Sequence, residues 1–156
     1  MNSIKKILLV YAGHPGGTTD QLRQAMLNSL HDVDLPIQVR CLWAPDAHAE
    51  DLLWADGVLL ATPEHFGYMA GKMKDFFDRT FYPTENKTQG KPYALVVSAG
   101  NDGQGTIASV ERIVKGYAWK AIQPACLVVG KPTLDDLNRA RDLALTLAIG
   151  LVDDIF

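Results

Sequence analysis

Apolar residues along the chain gather into five short runs: Ile7 to Tyr11, Ile37 to Trp43, Gly57 to Ala61, Tyr93 to Ser98 and Cys126 to Val129. Each run is nearly continuous in Val, Leu and Ile rather than alternating with polar residues. That pattern marks strands covered on both faces, as in a parallel sheet. Between the runs the spacing becomes helical. Leu22, Ala25, Met26 and Ser29 follow i, i+3, i+4, i+7; Met73, Phe76 and Phe77 repeat the spacing, as do Ile107, Val110, Val114 and Tyr117. A last helix is predicted to begin near Thr133, where Thr133 and Asp136 form an approximate capping box after Pro132, followed by an apolar stripe of Leu137, Ala140, Ala144 and Ala148. Asp46 to Ala55 carries the weakest helical pattern. Strands alternating with helices build βαβ units, whose right-handed crossovers leave few topologies. The expectation is one α/β domain over residues 1–156, a three-layer doubly wound sandwich with five parallel strands in the order 2-1-3-4-5.

Composition adds mostly exclusions. A chain of 156 residues with 47% hydrophobic and 21% charged residues matches one ordinary globular domain and excludes disorder as its main state. Fifteen basic against 18 acidic residues give a net charge of −3, and no Lys/Arg cluster suggests a nucleic-acid or membrane-surface partner. Cys41 and Cys126 lie in apolar runs without CxxC spacing, so they read as reduced core thiols and no metal site is expected. The apolar run near the N-terminus is too short for a signal peptide, and no run reaches the ~20 residues of a membrane span. A cytoplasmic protein is expected. The four His residues fall at regular intervals, but their neighbours do not match, so no repeat is implied.

Candidate chemistry concentrates where such a sheet binds ligands, beyond the carboxyl ends of strands 1, 3 and 4. The first loop, Gly13-His14-Pro15-Gly16-Gly17-Thr18-Thr19, combines glycines, hydroxyls and a helix start. Such loops turn tightly, present several N–H groups and place a positive dipole end beside them, which suits a phosphate. It is neither a P-loop nor GxGxxG, and a plain strand-to-helix turn with a Thr cap is the competing account. The second loop, Thr62 to Met69, sets Phe66 and Tyr68 beside Glu64 and His65 at a strand end. Aromatics there either pack under the loop or await a planar ligand. The third, Ala99 to Thr106, holds Gly100, Gly103 and Gly105, which implies unusual backbone angles, close approach to a ligand, or a mobile surface loop. Together the loops fit a phosphorylated planar heterocycle.

With these residues in view, the chain resembles the flavodoxin-like FMN proteins, and more closely the small NAD(P)H-dependent FMN and quinone reductases. The resemblance is strongest from Asp56 to Thr80, with Asp56-Gly57, an apolar strand, Thr62-Pro63, Phe66-Gly67 and a Lys74-x-Phe76-x-Asp78-Arg79 helix. Gly90 to Gly100 and the glycine-rich loop after it are a second match, and Gly130 to Ala148 is similar to the family's terminal helix. The resemblance implies a phosphate site at His14, Gly16, Gly17, Thr18 and Thr19, and an isoalloxazine wall of Pro63, Glu64, His65, Phe66 and Gly67. It places Ser98, Gly100, Asn101, Gly103 and Gly105 near the pyrimidine end. The first loop departs from the pattern Ser/Thr-x-Thr-Gly-x-Thr: His14 and Gly16 stand where hydroxyls are usual. A hydrogen bond to a charged acceptor is worth roughly 1.5–3 kcal/mol, so weaker FMN binding is expected unless backbone N–H groups dominate or His14 donates.

The implied activity is that of an FMN flavoprotein passing electrons from NAD(P)H to a quinone, free flavin or similar small-molecule acceptor. The cofactor supplies the redox chemistry, so no catalytic side chain is required, with His65 as the candidate proton relay. A homodimer or larger homo-oligomer is implied as well, with the region of Phe81-Tyr82 as a candidate contact. Two alternatives stay open: a flavodoxin-type electron carrier, which the modest net charge argues against, and a binding module of the same fold with weak or no FMN. A phospho-acceptor receiver domain would need an acidic pair after strand 1 and an Asp at the end of strand 3, and Tyr11-Ala12-Gly13 and Ala61-Thr62 supply neither. The charged residues Lys72, Lys74, Asp75, Asp78 and Arg79 read as a solvated helix face, and Trp43, Trp54 and Trp119 as packing anchors, with Trp43 the least settled.

Overall fold

A computed structural model describes residues 3–156. The chain runs β1 (Lys5–Tyr11), α1 (Thr18–Asp32), β2 (Ile37–Trp43), a short 3-10 turn (Ala44–Asp46), α2 (Ala49–Trp54), β3 (Gly57–His65), β4 (Tyr68–Met69), α3 (Gly71–Thr84), β5 (Pro92–Ala99), α4 (Gln104–Tyr117), β6 (Lys120–Ala121), β7 (Cys126–Val129) and α5 (Leu134–Val152). The main sheet is parallel, in the order β2-β1-β3-β5, with β6 and β7 both pairing β5 on its outer side. In spatial position this is the expected five-strand order. Its fifth position is split into two pieces, Lys120–Ala121 and Cys126–Val129, because the chain leaves the ladder between them. The other addition is local: β4 folds back antiparallel on the end of β3, pairing Glu64 with Met69 and His65 with Tyr68.

The continuous apolar runs now have their cause. Along β1, Leu8 and Val10 join Val58, Leu60, Phe76, Phe77, Leu95 and Val114 in one buried cluster under α2, α3 and α4. Ile7 and Leu9 join Leu22, Met26, Leu59, Val96, Ala144 and Leu147 in another under α1 and α5. Successive strand residues point to opposite faces, and helices cover both faces, so the buried middles of β1, β3 and β5 are apolar, while polar residues sit at strand ends and on the edge strand β2. Gly57 lets α5 approach closely: a Cβ there would lie 2.9 Å from Leu151 Cδ1.

Local signals also hold. Thr133 accepts from the Asp136 N–H at 3.1 Å while Asp136 Oδ2 accepts from the Thr133 N–H at 2.9 Å, closing the capping box that starts α5. Cys41 is half-buried, Cys126 is buried, and both are free thiols. On α3, Lys74 pairs with Asp78 and Arg79 with Asp75. Arg79 is more than a solvated charge, because it also donates to the Ala44 and Ala47 carbonyls at 2.9 Å each, tying α3 to the 3-10 turn.

Candidate functional site

The loops after β1, β3 and β5 meet at one edge of the sheet and enclose a cavity of about 330 Å³. From the first loop, His14, Gly17, Thr18 and Thr19 line it; from the second, Pro63, Glu64 and His65; from the third, Ser98 and Gly100. Gly13, Ala99 and Gly130 complete the wall.

The first loop owes its shape to glycines. Gly13 and Gly16 have φ of 105° and 79°, a backbone region that side chains disfavour. Gly17 is the N-cap of α1, and no side chain caps that helix. The threonine cap of the competing account is absent, and Thr18 and Thr19, whose N–H groups have no intrahelical acceptor, line the cavity. Gly17 also admits the His14 imidazole: a Cβ would lie 3.4 Å from His14 Cδ2 and 3.6 Å from Nε2. The hydroxyls divide their roles. Thr19 is buried and its Oγ1 lies 2.6 Å from Ser98 Oγ, so these two side chains bond each other across the first and third loops. Thr18 makes no side-chain hydrogen bond among the described residues. Gly16 donates its N–H to Asp20 Oδ2 at 2.9 Å. That bond, reinforced by the Arg23 ion pair, holds the Asp20 carboxyl below the usual carboxylate range.

The second loop is a tight hairpin turn with Phe66 and Gly67 at its tip, both at positive φ (54° and 73°). This is the geometry of a type I′ turn, which costs a bulky residue more than a glycine. Phe66 is fully exposed, so it does not pack under the loop. The hairpin is pinned from behind: Glu64 Oε2 accepts the Gly103 N–H at 2.8 Å. Gly105 abuts Gly67 so closely that a Cβ would lie 2.2 Å from the Gly67 carbonyl oxygen. Gly103 is buried with φ of 85°, and a Cβ there would lie 2.4 Å from Leu127 Cδ1.

Several residues singled out from sequence therefore stand outside the cavity lining. Gly103 and Gly105 are glycines because other protein groups crowd them, Gly16 turns the loop and spends its N–H on Asp20, and Phe66, Gly67 and Asn101 are outside the wall. Gly130, with φ of 76°, was missed although it follows the carboxyl end of a strand, the rule that located the other loops. Among the described residues, no three His, Cys, Asp or Glu side chains gather as a metal site.

Comparison with known proteins gives the family and the fold. The model of the NADPH-dependent FMN reductase family matches residues 44–131, more than half of the chain. The chain belongs to that family. It is 34% identical over 90 residues to an NAD(P)H dehydrogenase (quinone) of Acidithiobacillus ferrooxidans, covering 57% of this chain and 43% of that one. It is 29% identical over 100 residues to a flavodoxin of Aquifex aeolicus, covering 64% and 53%. The matched part thus spans about half the length of these curated relatives. In fold, the chain is similar to a flavodoxin from the domain Archaea, with a TM-score of 0.80 at 22% identity over 92% of this chain and 96% of that one.

Proposed function

We infer that this family member holds FMN in the cavity beyond β1, β3 and β5 and works as an NAD(P)H-dependent oxidoreductase delivering electrons to a quinone, free flavin or similar small molecule. The observation that carries the reading is the uncapped start of α1, opening through glycines onto a cavity at the switch point of the sheet. The residues fit the group. The N–H groups at the start of α1 are unpaired donors at the positive end of a helix, the standard setting for a phosphate. The Thr18 hydroxyl and the His14 imidazole stand beside them. Pro63 to His65 on one side and Ser98 to Gly100 on the other bound a slot for a flat ring.

When bound, FMN would supply the two-electron redox chemistry between a nicotinamide and the acceptor. The protein supplies position. The Glu64–Gly103 and Thr19–Ser98 hydrogen bonds fix the three loops relative to one another, so the slot is formed before a ligand arrives. His65 lines this cavity and the neighbouring one; it is the group placed to hold a proton for a reduced acceptor. No helix of the described residues is long and apolar enough to cross a membrane. We place the protein in the cytoplasm, where its reductant is found, as a homo-oligomer that covers the exposed Tyr82 of α3.

The test is direct. FMN added to the apo-protein is expected to lose its fluorescence and acquire a perturbed visible spectrum, and the complex is expected to oxidise NADH or NADPH when a quinone is present. Flavin fluorescence unchanged in the presence of excess protein refutes the reading.

A further inference from the structure

A second cavity, of about 470 Å³, shares Gly13, His14 and His65 with the first and extends away from it toward Trp43 and the start of α3. This falls within the roughly 300–1,000 Å³ of small-molecule pockets. Its lining is chemically one-sided. The ionisable side chains in it are His14, His65 and Lys72, all basic, in a chain whose net charge is −3. Asp20 and Asp46, with Arg23, line an adjoining cavity that shares His14, Pro15 and Trp43 with this one. Trp43 gives the wall an aromatic surface, and Lys72 Nζ rests 5.0 Å from its ring centroid. The β2 end and the α3 start therefore bring a flat aromatic face and an exposed ammonium together beside two imidazoles. An exposed cation–π contact is worth only about 0.5–1 kcal/mol, so Lys72 leaves the ring readily for an anion. The first turn of α3 adds N–H groups with no side-chain cap.

We propose that this second cavity receives the phosphate-bearing adenosine end of the dinucleotide reductant, its base against Trp43 and a phosphate monoester on Lys72. The occupant follows from the lining: an aromatic face asks for a planar ring, and the Lys72 ammonium, with no carboxylate among the residues of this lining, asks for an anion on it. An adenosine phosphate carries both, whereas an uncharged quinone carries only the ring. The assignment rests on the reading that the protein uses a nicotinamide dinucleotide. The shared wall at His14 and His65 makes the two cavities neighbours, as two parts of one reaction require.

The probe is adenosine 2′,5′-bisphosphate, titrated into FMN-free protein by calorimetry and by tryptophan fluorescence, with adenosine as the phosphate-free comparison. The expected result is saturable binding of the bisphosphate, much tighter than adenosine, with quenching that disappears in Trp43→Leu. Lys72→Glu is expected to weaken binding at least ten-fold. That variant places an acidic residue in the first turn of α3, where the helix dipole favours it, so the fold is retained, and both variants should still quench FMN as the wild type does. No binding of the bisphosphate, equal binding of adenosine, or a Lys72→Glu affinity within two-fold of wild type overturns the proposal. Nucleotide binding without FMN uptake refutes the flavin reading and leaves this site standing; FMN uptake without nucleotide binding does the reverse.

Discussion

Gly105→Ala probes how the front wall of the proposed flavin cavity is held. Gly105 lies in the first turn of α4, where alanine ordinarily gains about 1 kcal/mol over glycine in helix propensity. Here the new Cβ would lie 2.2 Å from the Gly67 carbonyl oxygen and 3.2 Å from the carbonyl carbon. Carbon–oxygen contacts settle near about 3.3 Å, so helix and hairpin must part by roughly 1 Å. Both partners are backbone, and no rotamer change relieves the clash. Overpacking of this kind costs about 1–3 kcal/mol, which cancels or exceeds the propensity gain and leaves a net loss of about 0–2 kcal/mol. At roughly 2–4 °C per kcal/mol for a domain of this size, Tm falls by up to about 8 °C. The hairpin carries Pro63 to His65 with it, so FMN should bind several-fold more weakly even where Tm changes little. Gly116→Ala on the same helix is the control: a Cβ there would meet only Phe81 Cε1, at 3.9 Å. It should raise Tm by about 2–4 °C, through propensity alone. Thermal unfolding followed by circular dichroism, with FMN titrations of each variant, decides the matter. If Gly105→Ala matches Gly116→Ala in Tm and the wild type in FMN affinity, the close packing of hairpin on helix is not what holds the wall.

Three further substitutions test the framework. Asp20→Asn removes a carboxylate that the Gly16 N–H and Arg23 hold below its usual range. Its contribution to stability is complete above the unfolded carboxylate value of about 3.9 and is lost as pH falls through the lower folded value. Urea denaturation should show the variant weaker than wild type at pH 7 and the gap closing in acid. Tyr117→Phe deletes a buried hydroxyl that donates to the Phe77 carbonyl at 2.6 Å and lies 2.9 Å from Thr80 Oγ1, a loss of about 1 kcal/mol in denaturant unfolding. Burial pushes this phenol from 10.0 up to about 12, so its protonated form is favoured in the folded state. Its share of wild-type stability is full below pH 10, declines as pH rises through 12, and is missing from the variant's alkaline profile. Lys91→Met removes a half-buried ammonium that donates to the Leu52 and Ala55 carbonyls at the end of α2. A loss of about 1–3 kcal/mol in urea unfolding is expected, from carbonyls left without a charged donor.

What the sequence made legible was decided by short-range rules. The strands showed as continuous apolar runs because both sheet faces are covered, and the Thr133–Asp136 box showed because its partners are three residues apart. Glycines were harder. Gly13 and Gly17 border the cavity, whereas Gly103 and Gly105 yield space to Leu127 and to Gly67, residues distant in sequence. A glycine shows that something comes near, but only tertiary structure shows whether it is ligand or protein. Trp43 and Lys72 were read as a packing anchor and a solvated charge for the same reason. Nothing local indicates that the end of β2 and the start of α3 face each other across a cavity. The split of the fifth strand was hidden because each piece is short and both pair the same neighbour.

The departure of the first loop from the common phosphate-binding pattern also has a structural sense. With His14 and Gly16 in place of hydroxyls, and Thr19 bonded to Ser98, side-chain donors to an anion reduce to Thr18 and His14. The backbone donors at the uncapped helix start remain, and they need no side chain. Asp20 draws the Gly16 N–H aside and braces the turn in the shape that exposes them. On the proposed reading, phosphate recognition rests on conformation more than on residue type, and the positive φ of Gly13 and the open N-cap at Gly17 matter more than any single hydroxyl. A loop built this way can lose hydroxyls from its sequence pattern and still keep the geometry that a phosphate reads.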